Sequence, residues 1–255
     1  MSKRTREIIL PDQEAKASLR RRTRRDFLIA GVAAAGGIGG YEWITKARRE
    51  DDVPWPQRRV LALNRKLAKG YLSDSHLMPT YSIDQVRYLK PNGDIGVDQP
   101  PDLAAWRLQI FSEDTPLLNL SLADVKALPK TEMITRFCCI EGWSTVAYWG
   151  GARFADFTKK YFLPGRELPE YAYMATPGED YYVSLDMKSA MHPQTLLAYE
   201  QNGKPLEDVH GAPLRLAIPV KYGIKNIKRI GIIKYTNTRP GDYWAEEGYD
   251  WFAGL

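Results

Sequence analysis

Apolar and polar residues alternate with the period of β-strands along most of the second half of the chain. Segments with this pattern, or with a short apolar run of strand length, are 105–111, 132–140, 171–176, 181–187, 195–200, 214–220 and 228–235. The dipeptide Asn202-Gly203 predicts a tight turn, because both residues tolerate a positive φ. Proline- and glycine-containing segments at 91–94 and 99–102 predict loops.

Three short helices are predicted before and between these strands. One covers residues 60–68, one begins at Ser121, and one covers residues 152–162. Ser121 has the pattern of an N-cap residue, since Asp124 follows three positions later. Strands and helices do not alternate regularly, so the sequence predicts a mixed α+β domain and not a doubly wound parallel sheet.

The N-terminal segment predicts an export signal. Arg24-Arg25 precede Phe27-Leu28, and an apolar run rich in alanine and glycine extends to Gly40. This arrangement is typical of a twin-arginine signal, which carries folded proteins, often with a cofactor already inserted, out of the cytoplasm. The alternatives are an ordinary signal anchor, or a basic arm in front of a helix.

The sequence leaves open whether this signal is cleaved. No A-x-A site follows the apolar run, and the run is close to the minimum length for crossing a bilayer. Residues 51–56, with two acidic residues and two prolines, suit a linker. The expected organisation is a signal or anchor at 1–45, a linker with the N-terminal part of the domain at 46–100, the main domain at 101–240 and a tail at 241–255.

The charge of the chain argues against a nucleic-acid partner. The net charge is +5, but residues 1–49 hold 12 Lys and Arg against 5 Asp and Glu, which leaves the remaining chain at about −2. The domain itself is therefore close to neutral.

The two cysteines, Cys138 and Cys139, are adjacent, and the chain has three histidines. This set excludes a spaced disulfide framework and disfavours a structural zinc site. No dinucleotide-binding glycine motif, P-loop, haem-attachment motif or iron–sulfur cysteine set occurs. If the cysteines leave a strand, their side chains point to opposite faces, and only one of them can face a given site.

Residues 106–236 resemble the sulfite oxidase-type molybdopterin-binding domain, a fold of mixed β-sheets and short helices. The motifs that carry the resemblance are Cys-Ile-Glu-Gly-Trp-Ser at 139–144, Trp-Gly-Gly at 149–151, Leu-Leu-Ala-Tyr at 196–199 with Asn-Gly at 202–203, His-Gly-Ala-Pro-Leu-Arg-Leu at 210–216, and Lys-Tyr-Gly-x-Lys-x-x-Lys at 221–228. Within that family the chain looks most similar to the periplasmic branch typified by the catalytic subunit of a methionine-sulfoxide reductase system.

The resemblance implies a molybdenum-molybdopterin cofactor whose metal is bound by Cys139, while Cys138 is expected to pack in the interior. A thiolate is a soft donor and suits such a metal. The resemblance also implies which residues surround the pterin and its phosphate: Thr176, His210, Arg215, Asn226, Ile227 and Lys228. Arg87 is expected to match an arginine near the metal.

Sulfite oxidases resemble one another in placing arginines shortly after the ligand cysteine, where this chain has Trp143-Ser144. The difference removes positive charge, leaves an aromatic wall at Trp143 and favours a neutral, partly apolar substrate such as an S-oxide. The first hypothesis is therefore a periplasmic reductase that performs oxygen-atom transfer. The alternatives are an oxidase of sulfite or a related small molecule, a non-catalytic binding module with the same fold, and a thiol enzyme that pairs Cys139 with His210.

The expected partners follow from the missing redox motifs. Since no haem or flavin motif is present, electrons must come from or go to a separate carrier, and the resemblance suggests a membrane haem or quinone-linked subunit. The twin-arginine translocase is expected as the export partner. The dimerisation domain of eukaryotic sulfite oxidases has no counterpart in the chain, so a monomer is expected.

Overall fold

The structure is a computed structural model that describes residues 12–50 and 53–255. Residues 1–11 of the predicted signal and residues 51 and 52 of the predicted linker lie outside it. The chain divides into two compact units, one that ends at Arg58 and one that covers Arg59–Leu255. The limits expected from the sequence, after residues 45, 100 and 240, stay predictions.

The helices of the described residues include three that the sequence did not predict. They are α1 (Asp12–Lys46), α2 (Trp55–Tyr71), α3 (Leu122–Lys126), α4 (Phe154–Tyr161), α5 (Met187–Ala190) and α6 (Tyr243–Glu246). The predicted cap of α3 is confirmed, since the Ser121 hydroxyl accepts from the Asp124 backbone N–H and the Asp124 carboxylate accepts from the Ser121 N–H. Helix α2 begins earlier than predicted, because Pro56 is tolerated in a first helical turn.

Helix α1 contains the predicted signal. Its part from Arg20 to Lys46 is long and apolar enough to cross a membrane, by length and composition. Its apolar side chains are exposed, among them Phe27, Leu28 and Val32. The unit to which it belongs thus has an N-terminal apolar helix that is compatible with a signal.

The strands are short, and most of them belong to two five-stranded sheets. They are β1 (Arg49–Glu50), β2 (Val53–Pro54), β3 (Leu108–Ser112), β4 (Thr115–Leu120), β5 (Lys130–Cys138), β6 (Ser144–Arg153), β7 (Tyr171–Ala175), β8 (Tyr182–Asp186), β9 (Leu196–Gln201), β10 (Lys204–Pro205), β11 (Arg215–Ala217) and β12 (Ile232–Thr236). Strands β1 and β2 form a separate antiparallel pair.

One sheet has the order β10-β9-β6-β5, and β11 also pairs with β9; all of these pairs are antiparallel. The other sheet has the order β4-β3-β12-β7-β8, in which only β3 and β12 are parallel. A large apolar core joins buried residues of both sheets and of α4, such as Ile110, Phe157, Leu197 and Ile233. The expected α+β class with mixed sheets and few helices is confirmed.

All seven predicted strands occur, although β11 is only three residues long. Two long strands were missed. Strand β4 contains Pro116, which the sequence rules disfavour in a strand but which is tolerated because β4 lies at the edge of its sheet. Strand β6 contains Gly150-Gly151, a dipeptide that usually indicates a turn.

Gly151 is required where β6 crosses β9. A Cβ atom at this position would lie 2.3 Å from the Leu197 carbonyl oxygen and 2.7 Å from the Ala198 Cα. These are backbone atoms that cannot move aside without disturbing the sheet, so the close approach of β6 to β9 requires glycine at this position.

We therefore expect Gly151→Ala to lower the free energy of unfolding by about 1–3 kcal/mol, the usual cost of overpacking. Gly70→Ala is the matched control, because Gly70 lies in α2 with no atom within 4 Å of an added Cβ. The control is expected to be neutral or to raise stability by up to about 1 kcal/mol. Urea unfolding of both variants tests this, and equal midpoints would contradict the close approach.

Candidate active site

Cys139 lies in a tight loop directly after β5. Its backbone N–H donates to the Trp143 carbonyl at 2.9 Å, and its carbonyl accepts from the Gly142 N–H at 3.2 Å. Gly142 has a φ of +91°, which suits glycine and closes the loop. The residue is buried, with 6% of its surface exposed, whereas Cys138 ends β5 and is half-buried.

The environment of the Cys139 thiol contains opposing influences. Burial raises its pKa, and so does the charge of Glu141, while backbone N–H groups and the Asn92 amide lower it. The Asn92 Nδ2 atom lies 3.7 Å from the Cys139 Sγ atom. These donors would stabilise a thiolate once a metal removed the proton.

A cavity of about 160 Å³ opens beside this thiol. It brings four of the predicted residues together, namely Cys139, Arg215, Asn226 and Lys228. The other lining residues are Asn92, Gly93, Ile95, Phe137, Ile140, Glu141, Tyr181, Gly223, Ile224, Trp244 and Tyr249. We call this cavity the cleft.

Arg215, the first residue of β11, is a buried cation in the cleft. Its guanidinium donates to the carbonyl oxygens of His210 at 3.0 Å and Asn226 at 3.1 Å, and lies 4.6 Å from the centroid of the Trp149 ring. Burial lowers its pKa to about 10. In the part of the chain that the structure describes, no carboxylate pairs with it. A buried charge without a counter-charge is costly, so the position is suited to an anionic ligand.

Lys228 adds a second cation to the same cleft. Its Nζ atom donates to the Gly93 carbonyl at 2.7 Å, and burial together with Arg215 lowers its pKa to about 8. Asn226 shapes the loop between them, since its Oδ1 accepts from the Ile218 N–H at 2.8 Å and its Nδ2 donates to the Tyr222 carbonyl at 3.2 Å. The loop thus holds two cations in the lining of the cleft.

His210 is buried behind Arg215 and does not line the cleft. Its Nδ1 atom has no hydrogen-bond partner among the described residues. Burial, Arg215 and Lys228 lower its pKa to about 4, so its ring is neutral at pH 7. A buried ring nitrogen without a partner leaves a hydrogen-bonding position available to a ligand.

The remaining predicted residues do not line the cleft. Thr176 is fully buried and its hydroxyl accepts from the Tyr181 N–H at 3.3 Å, while Ile227 is a core residue. Arg87 is exposed, and its guanidinium donates to two carbonyl groups of its own segment. The roles that the resemblance implies for these three residues stay predictions.

Sequence reasoning missed the aromatic side of the cleft, which Phe137, Tyr181, Trp244 and Tyr249 form. It expected an aromatic wall at Trp143, but this indole packs beside Phe137, with ring centroids 5.8 Å apart, and is not a lining residue. The aromatic residues 243–252 stood out in the sequence as a tail, but nothing local indicated where the tail lies.

A buried ion pair positions that tail. Asp242 precedes α6, caps it by accepting from the Ala245 N–H at 3.2 Å, and accepts from the Ser184 N–H at 3.0 Å. Its carboxylate also pairs with Lys225, which is completely buried. Asp242 therefore ties the helix that carries Trp244 to β8 and to the cationic loop.

The donor set fits a molybdopterin. No group of three or more His, Cys, Asp or Glu side chains that could hold a metal occurs within residues 12–50 and 53–255. A metal beside Cys139 would therefore need most of its ligands from an organic cofactor. Arg215 and Lys228 form no salt bridge among the described residues, so they suit the phosphate of such a cofactor, and the soft thiol suits its metal.

The chain is similar to a family of molybdopterin-binding oxidoreductases and to proteins named as methionine-sulfoxide reductase subunits. The family described as oxidoreductase molybdopterin binding domain matches residues 96–244. The chain is 34% identical over 237 residues to a putative protein-methionine-sulfoxide reductase subunit, YedZ1, of Azospira oryzae, which is 91% of this chain and 87% of that protein. It is 36% identical over 169 residues to the protein-methionine-sulfoxide reductase catalytic subunit MsrP of Campylobacter jejuni, which is 59% of this chain and 56% of that protein. The matched region thus spans little more than half of the Campylobacter relative.

Among solved structures, the sulfane dehydrogenase SoxCD from Paracoccus pantotrophus aligns with a TM-score of 0.49 and 18% sequence identity. The alignment covers 55% of this chain and 40% of the other.

The neutral state of His210 predicts a pH dependence of stability in the cofactor-free protein. The unfolded chain binds a proton at this histidine below about pH 6.5, but the folded chain does so only near pH 4. The folded state therefore loses stability as the pH falls from 6.5 to 4, by up to about 3 kcal/mol.

We expect His210→Gln to flatten this part of the curve, measured by urea unfolding at half-unit pH steps. His76→Gln, which changes an exposed ring, is the control and should keep the wild-type slope. Parallel curves for the wild type and His210→Gln would show that His210 is not held neutral.

Proposed function

Because the chain belongs to the oxidoreductase molybdopterin binding domain family, it is a molybdenum-molybdopterin oxidoreductase, and we propose that it reduces an S-oxide. The substrate we propose is methionine sulfoxide in proteins, after the names of the Azospira and Campylobacter relatives. The single observation that carries the proposal is the lining of the cleft, in which Glu141 supplies a negative charge two residues from Cys139 and Tyr181, Trp244 and Tyr249 supply aromatic surface.

The charge beside Cys139 argues against an anionic substrate. Glu141 lines the cleft, and its carboxylate accepts from the Trp143 Nε1–H at 3.0 Å, which lowers the pKa of Glu141 and keeps it ionised. Sulfite would meet this negative charge, whereas an S-oxide carries no net charge. The lining cations, Arg215 and Lys228, are both assigned to the cofactor phosphate in this proposal.

The aromatic side of the cleft suits a thioether product. Trp244 and Tyr249 pack edge to face, with ring centroids 5.3 Å apart, and Tyr181 contacts the same helix through Tyr243. Sulfur contacts aromatic rings favourably, so these rings can hold the methionine side chain at the cleft. The Asn92 amide, close to Cys139, can donate to the oxygen of the S-oxide.

The division of roles among the residues follows the same geometry. We assign Cys139 to the metal, and Arg215, Lys228 and the Asn226 loop to the phosphate side of the cofactor. Thr176, His210 and Ile227 are proposed to shape the pterin site from behind the lining residues, and Arg87 is proposed only on the resemblance. When bound, the molybdenum cofactor supplies the two-electron redox chemistry.

Reduction of an S-oxide consumes two electrons and two protons, and releases the thioether and water. The protein contributes binding, orientation and electrostatics to this reaction. No haem-attachment motif or iron–sulfur cysteine set occurs in the sequence, so we propose that the electrons come from a membrane haem or quinone-linked subunit. We further propose a periplasmic location and export by the twin-arginine translocase, which the Arg24-Arg25 pattern supports.

The experiment that tests this proposal compares two assays on the purified, molybdenum-loaded protein. With a reduced viologen dye as donor, it is expected to reduce a peptide that contains methionine sulfoxide, and Cys139→Ser is expected to lower kcat/KM at least about 100-fold, as loss of a group needed in the transition state does. Efficient oxidation of sulfite without any reduction of S-oxides would instead support the oxidase alternative.

The charge argument gives a separate prediction. Glu141→Gln removes the negative charge and retains an oxygen that can accept from Trp143. We expect sulfite oxidation to rise several-fold in kcat/KM at low ionic strength, and this gain to shrink in 0.5 M salt, since screening weakens the repulsion. Steady-state kinetics with both substrates measure it, and an unchanged or lower sulfite activity would refute the role of Glu141.

A further inference from the structure

Helix α2 presents a row of large apolar side chains to solvent. Val60, Leu63, Leu67 and Tyr71 have 57%, 56%, 64% and 66% of their surfaces exposed. Their spacing of three, four and four residues places them on one side of the helix. Single exposed apolar residues are common, but four in a continuous helical row mark an interaction surface.

The opposite side of α2 fixes this orientation. Ala68 packs against the main core, and Leu72, which follows the helix, belongs to it. The Arg65 guanidinium pairs with the Asp250 carboxylate at 2.8 Å, and both side chains are mostly buried. The apolar row therefore cannot turn inward without breaking a packed interface.

All the charged residues of α2 are basic. Residues 55–71 contain five basic residues and no Asp or Glu. Arg59 and Lys66 are exposed and lie along one border of the apolar row. We call the set of Arg59, Val60, Leu63, Lys66, Leu67 and Tyr71 the basic apolar face.

The geometry points to an anionic phospholipid surface as the occupant of the basic apolar face, and we propose that α2 lies on such a surface. An exposed apolar row bordered by Lys and Arg is the pattern of helices that lie in a membrane interface. Headgroups of negative charge attract Lys66 and Arg59, while the acyl boundary takes up the apolar side chains. The proposal does not depend on the cofactor or on the proposed substrate.

Two further observations favour a membrane over a second copy of the chain. A symmetric dimer through this face would bring the same basic residues of two copies together, which is unfavourable. Helix α1, which is long enough to cross a membrane, ends at Lys46, and α2 begins at Trp55. The intervening segment can span at most about 30 Å, so a membrane-inserted α1 would keep α2 close to the bilayer.

The test uses the full chain reconstituted in vesicles of 30% phosphatidylglycerol and 70% phosphatidylcholine, with a fluorescent amino acid incorporated at position 67. The matched control carries the same fluorophore at Leu168, which is 50% exposed and lies outside helices and strands. Replacing the lipid chains by brominated ones is expected to quench position 67 at least about two-fold, because the row would reach the acyl boundary. Position 168 is expected to be unaffected.

The contribution of charge is tested with Arg59→Gln/Lys66→Gln, and with vesicles of phosphatidylcholine alone. Each removed charge is expected to shift the equilibrium between membrane-docked and undocked α2 about five-fold towards the undocked state. Quenching at position 67 should therefore fall in the double variant, and also in vesicles of phosphatidylcholine alone. Circular dichroism and thermal midpoints equal to the wild type show that the variant is folded.

Three results would overturn the proposal. If aqueous iodide quenches the fluorophore at position 67 and brominated lipid does not, the basic apolar face lies in solvent. If neither iodide nor brominated lipid quenches it, a protein, such as a second copy, covers the face. Equal quenching at positions 67 and 168 would show that lipid contact is not specific to this face.

Discussion

The guanidinium of Arg215 organises the cationic loop of the cleft from inside the protein. It donates to the carbonyl oxygens of His210 and Asn226 and stacks on Trp149, so it links the segments on both sides of β11 to the sheet. Burial works against its charge, and no carboxylate of the described chain compensates it. A phosphate-bearing cofactor would supply the missing negative charge, which connects the fold of this loop to the binding of its ligand.

The lining of the cleft carries both signs of charge. Arg215 and Lys228 contribute positive charge, Glu141 contributes a negative charge two residues from Cys139, and Trp244 and Tyr249 contribute aromatic surface. In the proposed function, the two cations hold the cofactor phosphate and the aromatic rings receive a neutral sulfoxide. The Asp242–Lys225 pair connects these groups, because it anchors the aromatic helix α6 to the cationic loop.

The sequence predicted the elements that have a strong local pattern. Alternation and short apolar runs identified seven strands, and the Ser121 cap was correct because Asp124 satisfies it through local hydrogen bonds. Strand β6 was missed because Gly151 is needed for close approach to β9, a reason that depends on a partner strand. Local rules cannot distinguish such a glycine from one in a turn.

The site was predictable only in part, for the same reason. Ordered motifs indicated Cys139, Arg215, Asn226 and Lys228, and the structure places all four at the cleft. Asn92, Tyr181, Trp244 and Tyr249 come from a loop, a turn and the tail, and only tertiary packing brings them there. Thr176 and Ile227 proved to be buried behind the lining, and Arg87 exposed away from it.

Cys139 is proposed as the protein ligand of a molybdenum bound in this cleft. X-ray absorption at the molybdenum edge counts the sulfur ligands of the metal, and it is measured on the wild type and on Cys139→Ser, with Cys138→Ser as the matched control. We expect Cys139→Ser to lower the sulfur coordination of the metal by one and Cys138→Ser to leave it unchanged. A loss of sulfur in Cys138→Ser, or the same spectrum in all three proteins, would show that Cys139 is not the ligand.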